Sequence, residues 1–385
     1  MLQSFFVYTA SAFLMYRFCL FAEKRELYLI NHNNHSLEFF NVWFFLALLL
    51  FSTVAGLRYN VGVDYLSYLS EYLCVQDTGS FSREDFELGF QVITSFFAKL
   101  GFHYFFYFAF LALLQIGFIF LALKDHKYVL KYVCLYIFLG TFFFEWMNGI
   151  RQTIVCCSFV FLVKYIPERR FYHFFLGVLI ACFMHKSALL FAPVYLLSFY
   201  KGVWNNKSKN LIVLFILIFI GSNPFWIKSL SSLESILNML DYGAYADNIS
   251  YWVDEAQKTA WGPSRISILL VQLVVIWYYP RMRIHYNCLR LIDVYFILFF
   301  SGVCAYNLFV NTSYIFIRPI MYFTIFLLPL FGYTANFLKS THRFFAYYFL
   351  LVIGCCYTYY MILKVSYFLV EPNECVLYKF FFDYN

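Results

Sequence analysis

Charge is what this sequence has least of. Asp, Glu, Lys and Arg make up 13% of its 385 residues, against roughly 25% in soluble domains. So few charges cannot cover a water-facing surface, which excludes a soluble enzyme, a disordered tail and a secreted disulfide scaffold. Cysteine spacing is equally uninformative about metals: none of the 11 cysteines forms a C-x-x-C pair or a zinc-site pattern. Most lie in apolar runs, where a thiol packs as a small hydrophobe; Cys74 and Cys375 alone fall in predicted outer loops. No G-x-x-x-x-G-K-[ST] loop, H-E-x-x-H or G-x-S-x-G is present, so ATP, zinc-protease and lipase chemistry lack support. No D-x-D pair is available for a divalent cation, so the expected site uses neither metal nor cofactor. Internal repeats and low-complexity linkers are missing too.

What the chain has instead is 63% hydrophobic residues, 25% aromatic residues and a mean hydropathy of +0.69. A helix needs about 20 apolar residues to cross a bilayer. Runs of that kind sit near 2–21, 39–57, 104–123, 131–147, 150–166, 171–185, 187–200, 210–227, 264–280, 291–309, 315–337 and 344–364. The first could pass for a signal peptide, but no positive region precedes it and it continues to Phe21, so it reads as a membrane span. The fold class expected is an all-α polytopic membrane protein of about twelve transmembrane helices, residues 1–385 forming a single transmembrane domain. Alternating loops then carry +10 on one side and −4 on the other, and Arg17 inside the first span completes the total. By the positive-inside rule the first side is cytoplasmic and both termini lie outside. The net charge of +7 is therefore topological, and no nucleic-acid partner is expected. Two long loops, 58–103 and 228–263, face outward, and residues 86–100 within the first read as an amphipathic interfacial helix.

Chemistry-bearing residues concentrate on that outer side. Arg58-Tyr59-Asn60-Val61-Gly62-Val63-Asp64-Tyr65 leads into Tyr68, Glu71 and Tyr72, so helical spacing puts two carboxylates among aromatic rings on one face. A carboxylate at a membrane surface can serve as a base; alternatively Asp64 caps a helix and Arg58 anchors the interface. Glu145-Trp146-Met147-Asn148-Gly149-Ile150-Arg151-Gln152 sets an arginine at a turn between spans. Such an arginine is costly unless it meets an anion, and its planar fork suits phosphate; the alternative is an Arg151–Glu145 ion pair. Phe183-Met184-His185-Lys186-Ser187-Ala188 and Arg318-Pro319-Ile320-Met321-Tyr322 add further cations. Loop 228–263 contributes Trp252 among other aromatics, either a wall for sugar or a membrane belt. Arg58, Arg151, His185, Lys186 and Arg318 together suit a lipid-linked pyrophosphate, and arginines that hold a leaving pyrophosphate stabilise charge as it develops.

These residues, in this order, resemble the EpsG-like family of Wzy-type polysaccharide repeat-unit polymerases. The resemblance rests on Arg58…Gly62-Val63-Asp64-Tyr65…Tyr68, Glu87-Leu88-Gly89-Phe90, Arg151-Gln152, His185-Lys186-Ser187-Ala188 and Arg318…Tyr322. It reaches Leu377-Tyr378, a worn form of the family's terminal Pro-Tyr; Thr153-Ile154 stands where a small residue usually follows Arg-Gln. It implies a GT-C-like glycosyltransferase in the bacterial plasma (inner) membrane. Its substrate would be a polyprenyl-pyrophosphate-linked oligosaccharide, and its neighbours membrane lipid, a chain-length regulator and a flippase. Asp64 is then the first candidate for base and Glu87 the second, with His185 assisting. Arg58, Arg151, Lys186 and Arg318 would bind pyrophosphate, and Tyr65, Tyr68 and Trp252 sugar. A ligase uses much the same parts. A flippase would be expected to show internal repeats, and a glycan O-acyltransferase leaves the arginines unexplained.

Overall fold

Long apolar runs become helices because, in a membrane, each backbone N–H and C=O must be satisfied within its own segment. The computed structural model describes residues 1–31, 41–83, 86–223, 226, 261–311, 314–367 and 376–383. Regular structure among them is helical, with one isolated antiparallel bridge between Arg58 and Phe380. The protein is an all-α polytopic membrane protein. Among the described residues, five helices are long and apolar enough to cross a bilayer: Leu2–Arg25, Tyr104–Ala122, Arg290–Phe309, Arg318–Ser340 and Phe344–Ser366. They coincide with five of the runs read from the sequence. The other runs fall on helices that are too short or insufficiently apolar to qualify alone, such as Val42–Leu57, Phe171–Cys182 and Lys186–Ser198.

The run at 131–147 is broken. Helix Lys127–Leu139 (α6) and helix Phe142–Asn148 (α7) meet at 65°, and together they make a sixth candidate span. Gly140 causes the break: its backbone is extended, and a Cβ there would lie 2.6 Å from the Tyr136 carbonyl oxygen. Carbonyls freed at a break must find donors, and the buried Thr358 hydroxyl donates towards Phe138 O at 2.8 Å and Gly140 O at 3.2 Å.

The described chain divides into two compact units, Met1–Lys201 with Leu328–Asn385, and Gly202–Leu327. In the first, helix Leu2–Asn31 lies along α6 and helix Val42–Leu57, which in turn packs on helix Tyr104–Ala122. The latter packs on helix Ile150–Leu162. The Asn41 side chain accepts from Trp43 N–H at 2.9 Å and His103 Nδ1 from Phe105 N–H at 3.2 Å, so two of these helices begin on side-chain caps. Between Leu57 and Tyr104 stand two shorter helices, Tyr65–Thr78 and Leu88–Lys99. They share a buried cluster with Tyr107, Phe108, Leu111, Ile150 and Ile154. The helix Leu88–Lys99 leaves Leu88, Val92 and Phe96 exposed along one stripe, the pattern of a helix lying at an interface.

The segment 376–383 returns across this unit. Tyr378 donates its backbone N–H to Ser4 Oγ at 2.9 Å and its hydroxyl to Val54 O at 2.6 Å. Tyr59 N–H donates to Lys379 O at 2.8 Å. Leu377-Tyr378 is thereby joined to the Arg58 turn.

In the second unit, helices Lys207–Gly221 and Pro263–His285 pack together, and each also packs on Arg290–Phe309. Asp293 is buried there, accepting from Tyr279 Oη and Arg283 Nε, each at 2.7 Å.

Candidate functional site

Four segments of the first unit, distant in sequence, converge. The turn 58–64 comes first. Gly62 has φ +94°, a conformation that L side chains rarely adopt, and a Cβ would collide with Met147 O. Asp64 N–H donates to Asn148 Oδ1 at 3.0 Å. Gly62 and Asp64 thus dock on the Met147-Asn148 turn, three residues before Arg151. Asp64 occupies the N-cap position of helix Tyr65–Thr78 but makes no side-chain cap bond there, and it is half-buried. Its carboxylate is therefore not consumed by capping.

Arg151 opens helix Ile150–Leu162 and is held on several sides. Its Nη1 donates to Glu87 Oε2 at 2.5 Å. Its guanidinium centre lies 4.8 Å from the Phe86 ring centre and 5.4 Å from that of Phe90, within cation–π range. Tyr68 hydrogen-bonds the Arg151 side chain. Burial raises the Tyr68 phenol above its usual range, Arg151 pulls it down and Asp64 pushes it up. Tyr68 therefore stays neutral beside Arg151. Arg151 Nε is buried with no hydrogen-bond partner among the described residues. An arginine pairs here as the sequence suggested, but with Glu87 and not with Glu145.

The fourth segment is the turn before the 3-10 helix Lys186–Ser198. Glu87 Oε1 accepts the Lys186 N–H at 3.1 Å, and Gly89 N–H donates to Phe183 O at 2.7 Å. The Phe183 oxygen would be 2.7 Å from a Cβ at Gly89, so this approach needs glycine. His185 Nδ1 accepts from Ser187 N–H at 3.3 Å and lies 2.6 Å from Ser187 Oγ. An accepting Nδ1 leaves the proton of the neutral ring on Nε2. The Lys186 side chain is exposed.

Several expected residues stand in other surroundings. Arg58 is buried at 1% exposure, its guanidinium 5.3 Å from the Tyr65 ring centre and 4.9 Å from that of Phe108. It donates to Val61 O at 3.2 Å and also to Ala55 O. It closes the turn, and its guanidinium is buried and does not face outward. Tyr65 and Tyr68 are likewise buried; Tyr65 stacks on Phe108 at 4.9 Å and Tyr68 packs on Phe90 at 5.7 Å. Glu71 accepts the Ser82 N–H at 3.1 Å and the Ser82 hydroxyl, and so fastens a loop. Arg318 is exposed in the second unit. Trp252 lies outside the described residues.

The EpsG family model matches residues 41–381, which takes in all four segments and nearly all of the returning segment. The chain belongs to the EpsG family. No curated protein and no solved structure matches it. In this EpsG family member the sequence reading missed Asn148 and the bond between Tyr68 and Arg151. The Asn148-Gly149 pair is a turn signal that could have pointed to the first. Nothing in the sequence marks the second.

Proposed function

We propose that this EpsG family protein is a membrane glycosyltransferase. In this reading it polymerises polyprenyl-pyrophosphate-linked oligosaccharide repeat units at the outer face of the bacterial plasma membrane. The observation that carries the reading is the convergence of four segments, with Asp64 N–H on Asn148 and Glu87 bridging Arg151 Nη1 and the Lys186 N–H. These segments carry cations that suit a pyrophosphate and a carboxylate that can take a proton. A hydroxyl oxygen of the acceptor sugar attacks the anomeric carbon of the donor glycan. The bond from that carbon to the pyrophosphate oxygen breaks, and its electron pair leaves with the carrier. Asp64 receives the hydroxyl proton, while Arg151, Lys186 and His185 Nε2 meet the charge growing on the leaving pyrophosphate. The twelve-span topology with both termini outside belongs to this reading, because it sets the four segments at the outer leaflet.

Deletion of the gene tests it in the source organism. The surface-glycan ladder should collapse to a single repeat unit on its lipid or core acceptor. Normal-length chains stranded on the carrier would indicate a ligase. Repeat units trapped inside would indicate a flippase, and an unchanged ladder lacking only acetyl groups an O-acyltransferase.

A further inference from the structure

Glu87 is 8% exposed and spends both carboxylate oxygens on fixed donors, Oε2 on Arg151 Nη1 and Oε1 on the Lys186 N–H. These donors come from elements that begin at residues 150 and 186. The neighbours of Glu87 extend the same grip. Phe86 lies under the Arg151 guanidinium, Phe90 lies beside it, and Gly89 is hydrogen-bonded to Phe183. Residues 86–90 therefore fix the plane of one cation and the backbone that carries the next.

A base needs an oxygen turned towards the hydroxyl that it deprotonates, and Glu87 has both oxygens committed elsewhere. A guanidinium presents donors along more than one edge. With Nη1 held by Glu87, the other guanidinium donors, among them an Nε that has no hydrogen-bond partner among the described residues, remain for a phosphate oxygen. We propose that Glu87 is a positioning residue. It orients Arg151 and the Lys186 turn so that Arg151 Nε and the Lys186 ammonium together receive the carrier pyrophosphate, and it does not accept the acceptor's proton. This inference rests on the glycosyltransferase reading for its substrate, and it assigns the base to Asp64 alone.

The test uses the full chain in proteoliposomes with a lipid-linked repeat unit, comparing wild type, Glu87→Gln and Glu87→Ala. An amide oxygen in Glu87→Gln can still accept the Lys186 N–H, but the charge that aligns Arg151 is gone. Loss of a hydrogen bond to a charged group predicts a KM for the donor raised about ten- to hundredfold. The kcat of Glu87→Gln should fall by no more than about tenfold, because Arg151 itself remains to meet the leaving charge, and its pH profile should keep its acidic limb. Glu87→Ala should raise KM further. A kcat for Glu87→Gln reduced by about 10²-fold or more, with the acidic limb lost, would make Glu87 the base and overturn the proposal. Inorganic pyrophosphate gives a readout independent of turnover, through protection of the detergent-solubilised protein against thermal unfolding. Weaker protection in Glu87→Gln than in wild type is expected, and equal protection would overturn the proposal. Wild type that is protected by pyrophosphate but makes no polymer would refute the polymerase reading while leaving the positioning role standing.

Discussion

With alanine at position 151, polymerisation falls by about 10²–10³-fold, the cost of removing a donor aimed at charge that develops in a transition state. Arg151 is the cation around which the site is built, reached by Glu87, Phe86, Phe90 and Tyr68 at once. The alanine variant also strands the buried Glu87 carboxylate, and breaking a buried pair costs about 3–5 kcal/mol. Loss of activity from that variant alone would therefore confound chemistry with folding. Arg151→Lys separates them. It retains a positive charge for Glu87 but lacks the planar fork, so the protein should reach the membrane at wild-type level and still polymerise at least about tenfold more slowly. Elongation rate per unit of membrane-embedded protein is the measurement. Full-length chains made at the wild-type rate by either variant would remove Arg151 from the pyrophosphate site.

Asp64→Asn is the second large effect, and its signature is the reverse of that expected at Glu87. The substitution keeps the shape of the side chain and the backbone N–H bond to Asn148. It also disturbs no side-chain cap, since Asp64 makes none in its helix. Losing a general base lowers kcat by about 10²–10⁴-fold. KM for the lipid-linked donor should change little, because pyrophosphate is held by the Arg151 and Lys186 side of the site. Steady-state kinetics on the purified variant decides between this and an electrostatic role. A raised KM at unchanged kcat would place Asp64 among the binding residues.

The sequence made the membrane class legible because apolar composition over about 20 residues is a local property, and the five qualifying helices lie where those runs predicted. The break at Gly140 was hidden because a glycine inside an apolar run does not declare whether its carbonyls will find donors; here Thr358 supplies one. The segments of the site were visible as short motifs, yet their partners were not. Glu145 is near Arg151 in sequence and invited a pair, but Glu87, 64 residues away, makes it. Arg58 looked like another outward cation. Its environment depends on Phe108, fifty residues on, which the spacing of charges cannot reveal. Tyr65 and Tyr68 suggested a sugar platform, but helix Tyr65–Thr78 turns them into the cluster shared with Phe90 and Phe108. Gly62 and Gly89 carried a readable hint, since glycine tolerates both a positive φ and a close backbone approach.

The most direct measurement of the central claim is the stoichiometry of a reconstituted reaction. Purified protein in liposomes would be supplied with a polyprenyl-pyrophosphate-linked repeat unit, and polymer length and released carrier would be followed together. Polymerisation yields a ladder of products in which each added repeat frees one polyprenyl pyrophosphate and the chain stays on a carrier. Turnover that moves glycan without lengthening it, or carrier release with no ladder, would contradict it.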